Sequence, residues 1–296
     1  MLDRLSYIVS MNQLSTAKRA QVVAALVEGN SIRATVRMTG VAKNTIVKLL
    51  TELGEACSRY QDAVLRDLYC EHVQADEIWA FCYAKAKNVP EEHRGEFGYG
   101  DVWTFTAIDA DTKLVPSWMI GPRDLDTATA FMRDLVSRIH GRVQLTTDGL
   151  HLYVDAVESA FGSAVDYAQL QKLYGVPPEA EHRYSPAQCI GAKTEVIQGN
   201  PAAERISTSY VERSNLTMRM GMRRMTRLTN GFSKKLDNLM AAVSLHFMHY
   251  NFCRKHQTLK GITPAMAAGV TDHAWSVEEI VGLLTRDAAA SLGECA

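Results

Sequence analysis

No apolar run in this chain approaches the roughly 20 residues that a membrane-spanning helix needs. None of the six cysteines (Cys57, Cys70, Cys82, Cys189, Cys253, Cys295) falls in a Cys-x-x-Cys pair. Scattered thiols argue against a zinc ribbon and for a reducing compartment. The opening residues Met1-Leu2-Asp3-Arg4 lack the basic segment and long apolar stretch of a signal peptide. The expectation is a cytoplasmic protein with no membrane partner. Internal repeats and low-complexity tracts are also missing, which leaves an ordinary globular composition. At 296 residues the chain can bury one large core and carry a smaller unit beside it.

An overall charge excess is missing too: the net charge is −1. The distribution is less even. Residues 1–53 hold seven Lys/Arg against three Asp/Glu. Between residues 205 and 235 there are eight Lys/Arg (Arg205, Arg213, Arg219, Arg223, Arg224, Arg227, Lys234, Lys235) and a single acid, Glu212. Such local asymmetry says more about a polyanionic partner than the total does. A lone carboxylate there is either a salt-bridge partner or a metal ligand beside a polyanion.

Residues 15–53 read as three short helices. Ser15 or Thr16 caps the first, which ends at Gly29-Asn30; Ser31 caps the second, over 32–38. Thr39-Gly40-Val41 forms a turn before a third helix over 43–53, with Ile46, Leu49, Leu50 and Leu53 inward. Helix, glycine turn, helix is the helix-turn-helix pattern. Lys43, Asn44, Thr45 and Lys48 would then be exposed, and these residue types reach bases and phosphates. A plain bundle with a solvated polar face is the competing reading. Met11 offers an alternative start, making residues 1–10 a dispensable extension.

A helical connector over 54–71 follows. The pattern then changes to β-forming runs over 72–83, 101–108 and 113–120, the last two joined by a hairpin turn at Asp109-Ala110-Asp111-Thr112. Asp126 is the expected cap of a helix over 127–140. A fourth strand over 142–147 ends at Asp148-Gly149; a helix to about Phe161 and a short strand over 165–170 complete the series. Residues 174–204, rich in Pro, Gly and charge, are expected to be a loop or insertion. A helix starting near Ser207 or Thr208 carries Glu212. An amphipathic helix over 233–255 places Leu236, Met240, Val243, Phe247 and Tyr250 on one stripe.

This order of elements is that of a ribonuclease-H-like α/β fold. Asp76 sits inside the first strand, Asp148 at the end of the fourth, and Glu212 on a later helix. Carboxylates at such positions can converge on a pair of divalent ions, which favour hard oxygen ligands. Each has a simpler alternative. A carboxylate flanked by Ala75, Ile78 and Trp79 is costly to bury without a partner, but Asp148-Gly149 is also a turn signature and Glu212 alone could be a surface ion pair. Glu77, directed to the other side of the strand, competes with Asp76 as a ligand. Asp109 and Asp111 read as turn formers. Arg219, seven residues after Glu212, shares its helical face, and Arg223 extends that stripe.

Ala75-Asp76-Glu77-Ile78-Trp79, Thr147-Asp148-Gly149 and Ser209-Tyr210-Val211-Glu212-Arg213, followed by Asn215 to Arg219, resemble the DDE transposases of the bacterial insertion-sequence-one family. Tyr250-Asn251-Phe252-Cys253-Arg254-Lys255-His256, with Leu259 and Thr263-Pro264, is similar to a tail found more widely among DDE transposases and integrases. The resemblance runs from about residue 12 to residue 285. It implies a catalytic, metal-binding triad of Asp76, Asp148 and Glu212, with Mg²⁺ or Mn²⁺ as cofactor and Arg219 as a DNA-contacting base. The substrate would be double-stranded DNA, as element terminal repeats and as target. The reaction would be hydrolytic cleavage followed by attack of the freed 3′-hydroxyl. A homo-oligomer on DNA is expected because two ends must be joined. The founding members carry a Cys-rich zinc motif ahead of their helix-turn-helix; this chain has none.

The expected organisation is therefore a helix-turn-helix DNA-binding unit over 12–53, a connector over 54–71, a catalytic domain over 72–255 and a tail with a short helix over 256–296. DNA contacts are assigned to Arg213, Arg219, Arg223, Lys43, Asn44, Thr45 and Lys48. Two other readings compete: an inactive relative acting as a DNA-binding regulator, and a ribonuclease-H-like nuclease without strand transfer. The intact acids speak against the first, and the N-terminal helices weakly against the second.

Overall fold

The computed structural model describes residues 13–175, 189–226 and 229–293. The alternative start at Met11, Arg227 of the basic segment and residues 176–188 of the expected insertion lie outside the described residues.

Three N-terminal helices form as their caps dictate. Helix α1 (Thr16–Val27) starts where the Ser15 side chain accepts the Lys18 N–H, and α2 (Ile32–Thr39) where Ser31 accepts that of Ala34. Gly40 closes α2 at φ 71°, a left-handed conformation that glycine takes without strain. The third helix differs from expectation. It does not stop near Leu53 but runs unbroken as α3 (Lys43–Val64), absorbing the first part of the expected helical connector, whose remainder over 65–71 is not helical. Residues 54–64 contain no helix breaker other than Gly54, and Gly54 has a packing role. A Cβ there would meet Ala241 Cα at 2.4 Å. The absent side chain lets α3 lie directly against α7 (Leu236–Met248).

The sheet has six strands in the order β3-β2-β1-β4-β5-β6. Strands β1 (His72–Cys82), β2 (Gly100–Asp109) and β3 (Ser117–Gly121) form an antiparallel meander. At its turn, Asp109 accepts N–H bonds from Asp111 and Thr112. Strands β4 (Val143–Thr147) and β5 (Val165–Tyr174) run parallel to β1. Helices α4 (Leu125–Val136) and α5 (Leu152–Phe161) make the crossovers. The cap of α4 is Asp124, accepting from Thr127 N–H, not Asp126. This mixed α/β arrangement is compatible with a ribonuclease-H-like fold.

Strand β6 (Cys189–Gln198) pairs antiparallel with β5 inside the region expected to be a loop. Its side chains are mostly exposed, so the apolar alternation that marks a strand is missing. Helix α6 (Ser209–Gly221) carries Glu212. Helix α7 is buried nearly all round from Ala241 to Met248, with Met240 exposed rather than inward. It gives way at His249–Cys253 to a π-helical turn, so the single helix to Lys255 does not form. The C-terminal region is more than a tail: beyond the short α8 (Pro264–Ala267), α9 (Val277–Gly293) buries Ile280, Val281 and Leu283 in the core that contains α1 and α3.

Candidate active site

The register of β1 and β4 sets the site. Their pairing ends with Ala75 opposite Thr147. The next residue on each chain is therefore an aspartate, Asp76 and Asp148, at the point where the sheet splits. Asp148 folds back to accept the Leu150 N–H at 3.0 Å, which fixes its carboxylate at the strand end. Asp76 accepts a hydrogen bond from Asn215 Nδ2 of α6 at 2.8 Å. The Asn215 carbonyl oxygen accepts in turn from Thr106 Oγ1 at 3.3 Å. Glu212 lies on the first turn of α6; Thr208 Oγ1 donates to its Oε1 at 2.7 Å, and the Lys172 ammonium of β5 pairs with its Oε2.

Asp76, Asp148 and Glu212 line one cleft of about 600 Å³, together with Arg123, Lys172 and Thr208. One oxygen from each of Asp76, Glu77 and Asp148 lies within 4.8 Å of the other two. Neighbouring strand residues point to opposite faces, and Glu77 does leave the Asp76 face. It accepts Arg123 Nε at 2.7 Å and the Tyr153 hydroxyl at 3.0 Å. Because β4 has ended, β1 has no strand partner on that side at Asp76 and Glu77.

The electrostatics follow from this crowding. Burial, then the charges of Glu77, Asp148 and Glu212, push the Asp76 carboxyl up from an ordinary 3.8 to about 7. Burial also raises Asp148, although the Leu150 N–H and Arg123 oppose it. Glu77 is raised by burial and by Asp148, against the pull of Arg123 and Tyr153. Hard oxygen donors in a cleft, too close together to ionise freely, are what a divalent cation such as Mg²⁺ or Mn²⁺ relieves. Asp76, Glu77 and Asp148 fit such an ion; Glu212 lines the cleft but stands outside that group, its carboxylate bonded to Lys172 and Thr208.

The basic residues are spread more widely. Arg213 is exposed on α6. Arg219 is half-buried and donates to the carbonyl oxygens of Met225 at 3.1 Å and Trp79 at 3.4 Å. Helix α6 ends at Gly221, so Arg223 does not extend the Glu212 stripe; it lies exposed in a 3₁₀ turn, Arg223–Met225. Lys43, Asn44, Thr45 and Lys48 are all exposed at the start of α3, with Lys48 3.7 Å from Glu52. Lys43 and Arg223 share a groove between the N-terminal helices and α7, away from the acid cleft.

Sequence reasoning missed Arg123, Lys172, Tyr153 and Asn215. Asn215 had a signal, lying three residues after Glu212 on the same helix face. Nothing in the sequence sets the other three apart from surface or core residues.

No protein-family model matches the chain, and no curated protein sequence matches it. Among solved structures, the cryo-EM structure of a piggyBac transposase synaptic complex with hairpin DNA is similar over 86% of this chain and 56% of that chain, at 12% identity and a TM-score of 0.32. The chain thus spans little more than half the length of that protein. A likeness so distant says nothing about chemistry.

Proposed function

We propose that the chain is a DDE-type transposase of the insertion-sequence-one kind, cutting DNA at element ends and joining the freed 3′-hydroxyl to target DNA. The observation that carries the reading is the cleft lined by Asp76, Asp148 and Glu212, with Asp76 held near neutrality by burial and its acidic neighbours. In this reading the three carboxylates would hold divalent ions, with Glu77 engaged by Arg123 and Tyr153. Two such ions, when bound, activate the attacking oxygen and stabilise the leaving one. Asn215 orients the Asp76 carboxylate, and Lys172 holds Glu212 in place. The cationic groups of Arg123 and Lys172 flank the cleft and offset phosphate charge.

The domain scheme belongs to the same proposal. Helices α2 and α3 are assigned to a helix-turn-helix that reads element ends through Lys43, Asn44, Thr45 and Lys48. Arg213 and Arg223 are assigned to phosphates. Arg219, bonded to the Trp79 and Met225 carbonyls, is assigned to shaping a basic groove wall as well as charging it. Two element ends must be held together, so the working form is proposed to be a homo-oligomer on DNA.

A plasmid carrying the genomic DNA from both sides of the coding sequence tests the proposal. The protein with Mg²⁺ should nick or excise at defined flanking positions, and EDTA should abolish this. Random nicking indifferent to the flanking DNA would instead fit a nuclease without strand transfer.

A further inference from the structure

Strand β1 buries the wrong side chains for an ordinary core strand. Its small and aliphatic residues face inward: Ile78, Ala80 and Cys82 are 2%, 5% and 0% exposed. The alternate positions carry rings. Trp79 and Phe81 are only half-buried; Tyr83, just past the strand end at φ 64° and edge-on to Tyr99 with centroids 5.0 Å apart, is 39% exposed. Large aromatic side chains normally dominate the buried face; here they occupy the end of a face whose earlier positions, Val73, Ala75 and Glu77, are buried. Topology leaves the strand edge beside them unpaired. Strand β4 stops opposite Ala75, and the next backbone partner on that side is Ser233, bridged to Cys82 and accepting the Tyr83 N–H at 2.9 Å. The edge between is free of strand partners among the described residues.

The rings form a series. Trp79 and Phe81 have centroids 5.8 Å apart with planes inclined by 38°; Phe81 and Phe232 are 4.7 Å apart at 36°. They border a groove of about 920 Å³ whose wall also contains Lys85, Lys87, Arg219 and Arg224 and no carboxylate. Lys85 and Lys87 are exposed and have no acidic partner among the described residues. Asp101 pairs across the strands with Phe81 but lies outside the groove lining. At about 3.3 Å per residue, Trp79 lies roughly 10 Å along the strand from Asp76 and, three residues on, on the Glu77 face. Arg123 links the two places: it lines the acid cleft and lies 4.6 Å from the ring of Trp103, the cross-strand partner of Trp79.

Rings with cations and without acids match a specific chemistry. Nucleobases stack on aromatic faces while the backbone runs past lysine and arginine, and the stacking does not depend on base identity. Paired bases inside a duplex cannot offer their faces, so the strand must be unpaired. An acidic peptide would use the cations but not the ring series. We propose that this groove binds a single strand of DNA beside the acid cleft, its bases on Trp79, Phe81 and Tyr83 and its phosphates along Lys85 and Lys87. The inference rests on the reading of the chain as an enzyme acting on DNA.

The test is fluorescence anisotropy of the full chain in EDTA, with a labelled oligothymidylate and a blunt duplex of the same length. Trp79→Leu and Tyr83→Leu should each weaken oligothymidylate binding by about 5- to 150-fold, and Trp79→Phe and Tyr83→Phe should restore most of it. Duplex binding should change little in all four. Lys85→Gln with Lys87→Gln should reduce the salt dependence of oligothymidylate binding. Ring-keeping and ring-removing variants that bind alike would overturn the proposal. So would equal losses for duplex and single strand, or tighter binding of an acidic peptide than of oligothymidylate. Tyr83 is exposed enough for its replacement to leave folding intact, which circular dichroism checks. Ring-dependent binding without any metal-dependent cleavage would leave the groove standing and remove the transposase reading; cleavage with ring-independent binding would do the reverse.

Discussion

Replacing Asp76 with asparagine should stabilise the protein in EDTA, and only at neutral to alkaline pH. The carboxyl is raised from 3.8 to about 7 by burial and by Glu77, Asp148 and Glu212. Between those values the folded chain keeps a proton that the unfolded chain releases. Stability is therefore lost as pH rises through that window and the loss is complete above about pH 7. At about 1.4 kcal/mol per pH unit, the ceiling is about 4 kcal/mol. Asparagine keeps the shape and removes the charge, and its amide oxygen can still accept from Asn215 Nδ2. Thermal unfolding in EDTA should show Asp76→Asn more stable than the parent by about 2–4 kcal/mol at about pH 8, or several degrees, and nearly equal at about pH 4. Excess Mg²⁺ at the higher pH should raise the parent's Tm far more than the variant's. An equal Tm at both pH values, or an equal Mg²⁺ response, would refute the claim that crowded charge sets the properties of this cleft.

Three further outcomes follow from single contacts. Gly54→Ala forces a Cβ to within 2.4 Å of Ala241 Cα; wedging α3 from α7 should cost on the order of 3 kcal/mol in a denaturant titration. Arg123→Met strands the Glu77 carboxylate, whose side chain is 2% exposed. The loss should be about 1–3 kcal/mol at neutral pH, given that Arg123 is itself partly solvated. It should shrink under acid conditions, where Glu77, raised by burial, takes up a proton; Arg123→Met with Glu77→Gln should recover part of it. Removing residues 1–53 should unfold the remainder, as read by circular dichroism, because it cuts α3 in two, takes Leu49, Leu50 and Leu53 out of the common core, and removes the Thr51 Oγ1 bond to Asn238 Oδ1 of α7 at 3.2 Å and the packing of α1 on α9.

That last outcome departs from the sequence expectation, which had residues 1–53 separable from the rest. Helix periodicity reports which residues face inward, not which element they face, so Leu49, Leu50 and Leu53 read as the core of a private bundle. In the folded chain they join the common core. The strands around the acids were legible because β-branched and aromatic runs are bounded by turn residues. The β1–β4 register was not, yet it is what sets Asp76 beside Asp148. Strand β6 escaped notice because its side chains are mostly exposed and its apolar alternation is weak. Glu77 was legible as a rival to Asp76, but its clamp by Arg123 and Tyr153 arises from residues 46 and 76 positions away, beyond the reach of any local pattern. The run Trp79, Phe81, Tyr83 read simply as strand-forming; only burial reveals that the rings face outward.

The central claim is that Asp76, Asp148 and Glu212 act together in metal-dependent DNA cleavage. The most direct measurement is the rate of Mg²⁺-dependent cleavage at the flanking ends for Asp76→Ala, Asp148→Ala and Glu212→Ala, with DNA affinity measured in parallel. Each variant should lose cleavage while binding DNA within a few-fold of the parent. Cleavage that survives any one of the three at a substantial fraction of the parental rate would contradict the account for that residue, and survival in all three would contradict it altogether.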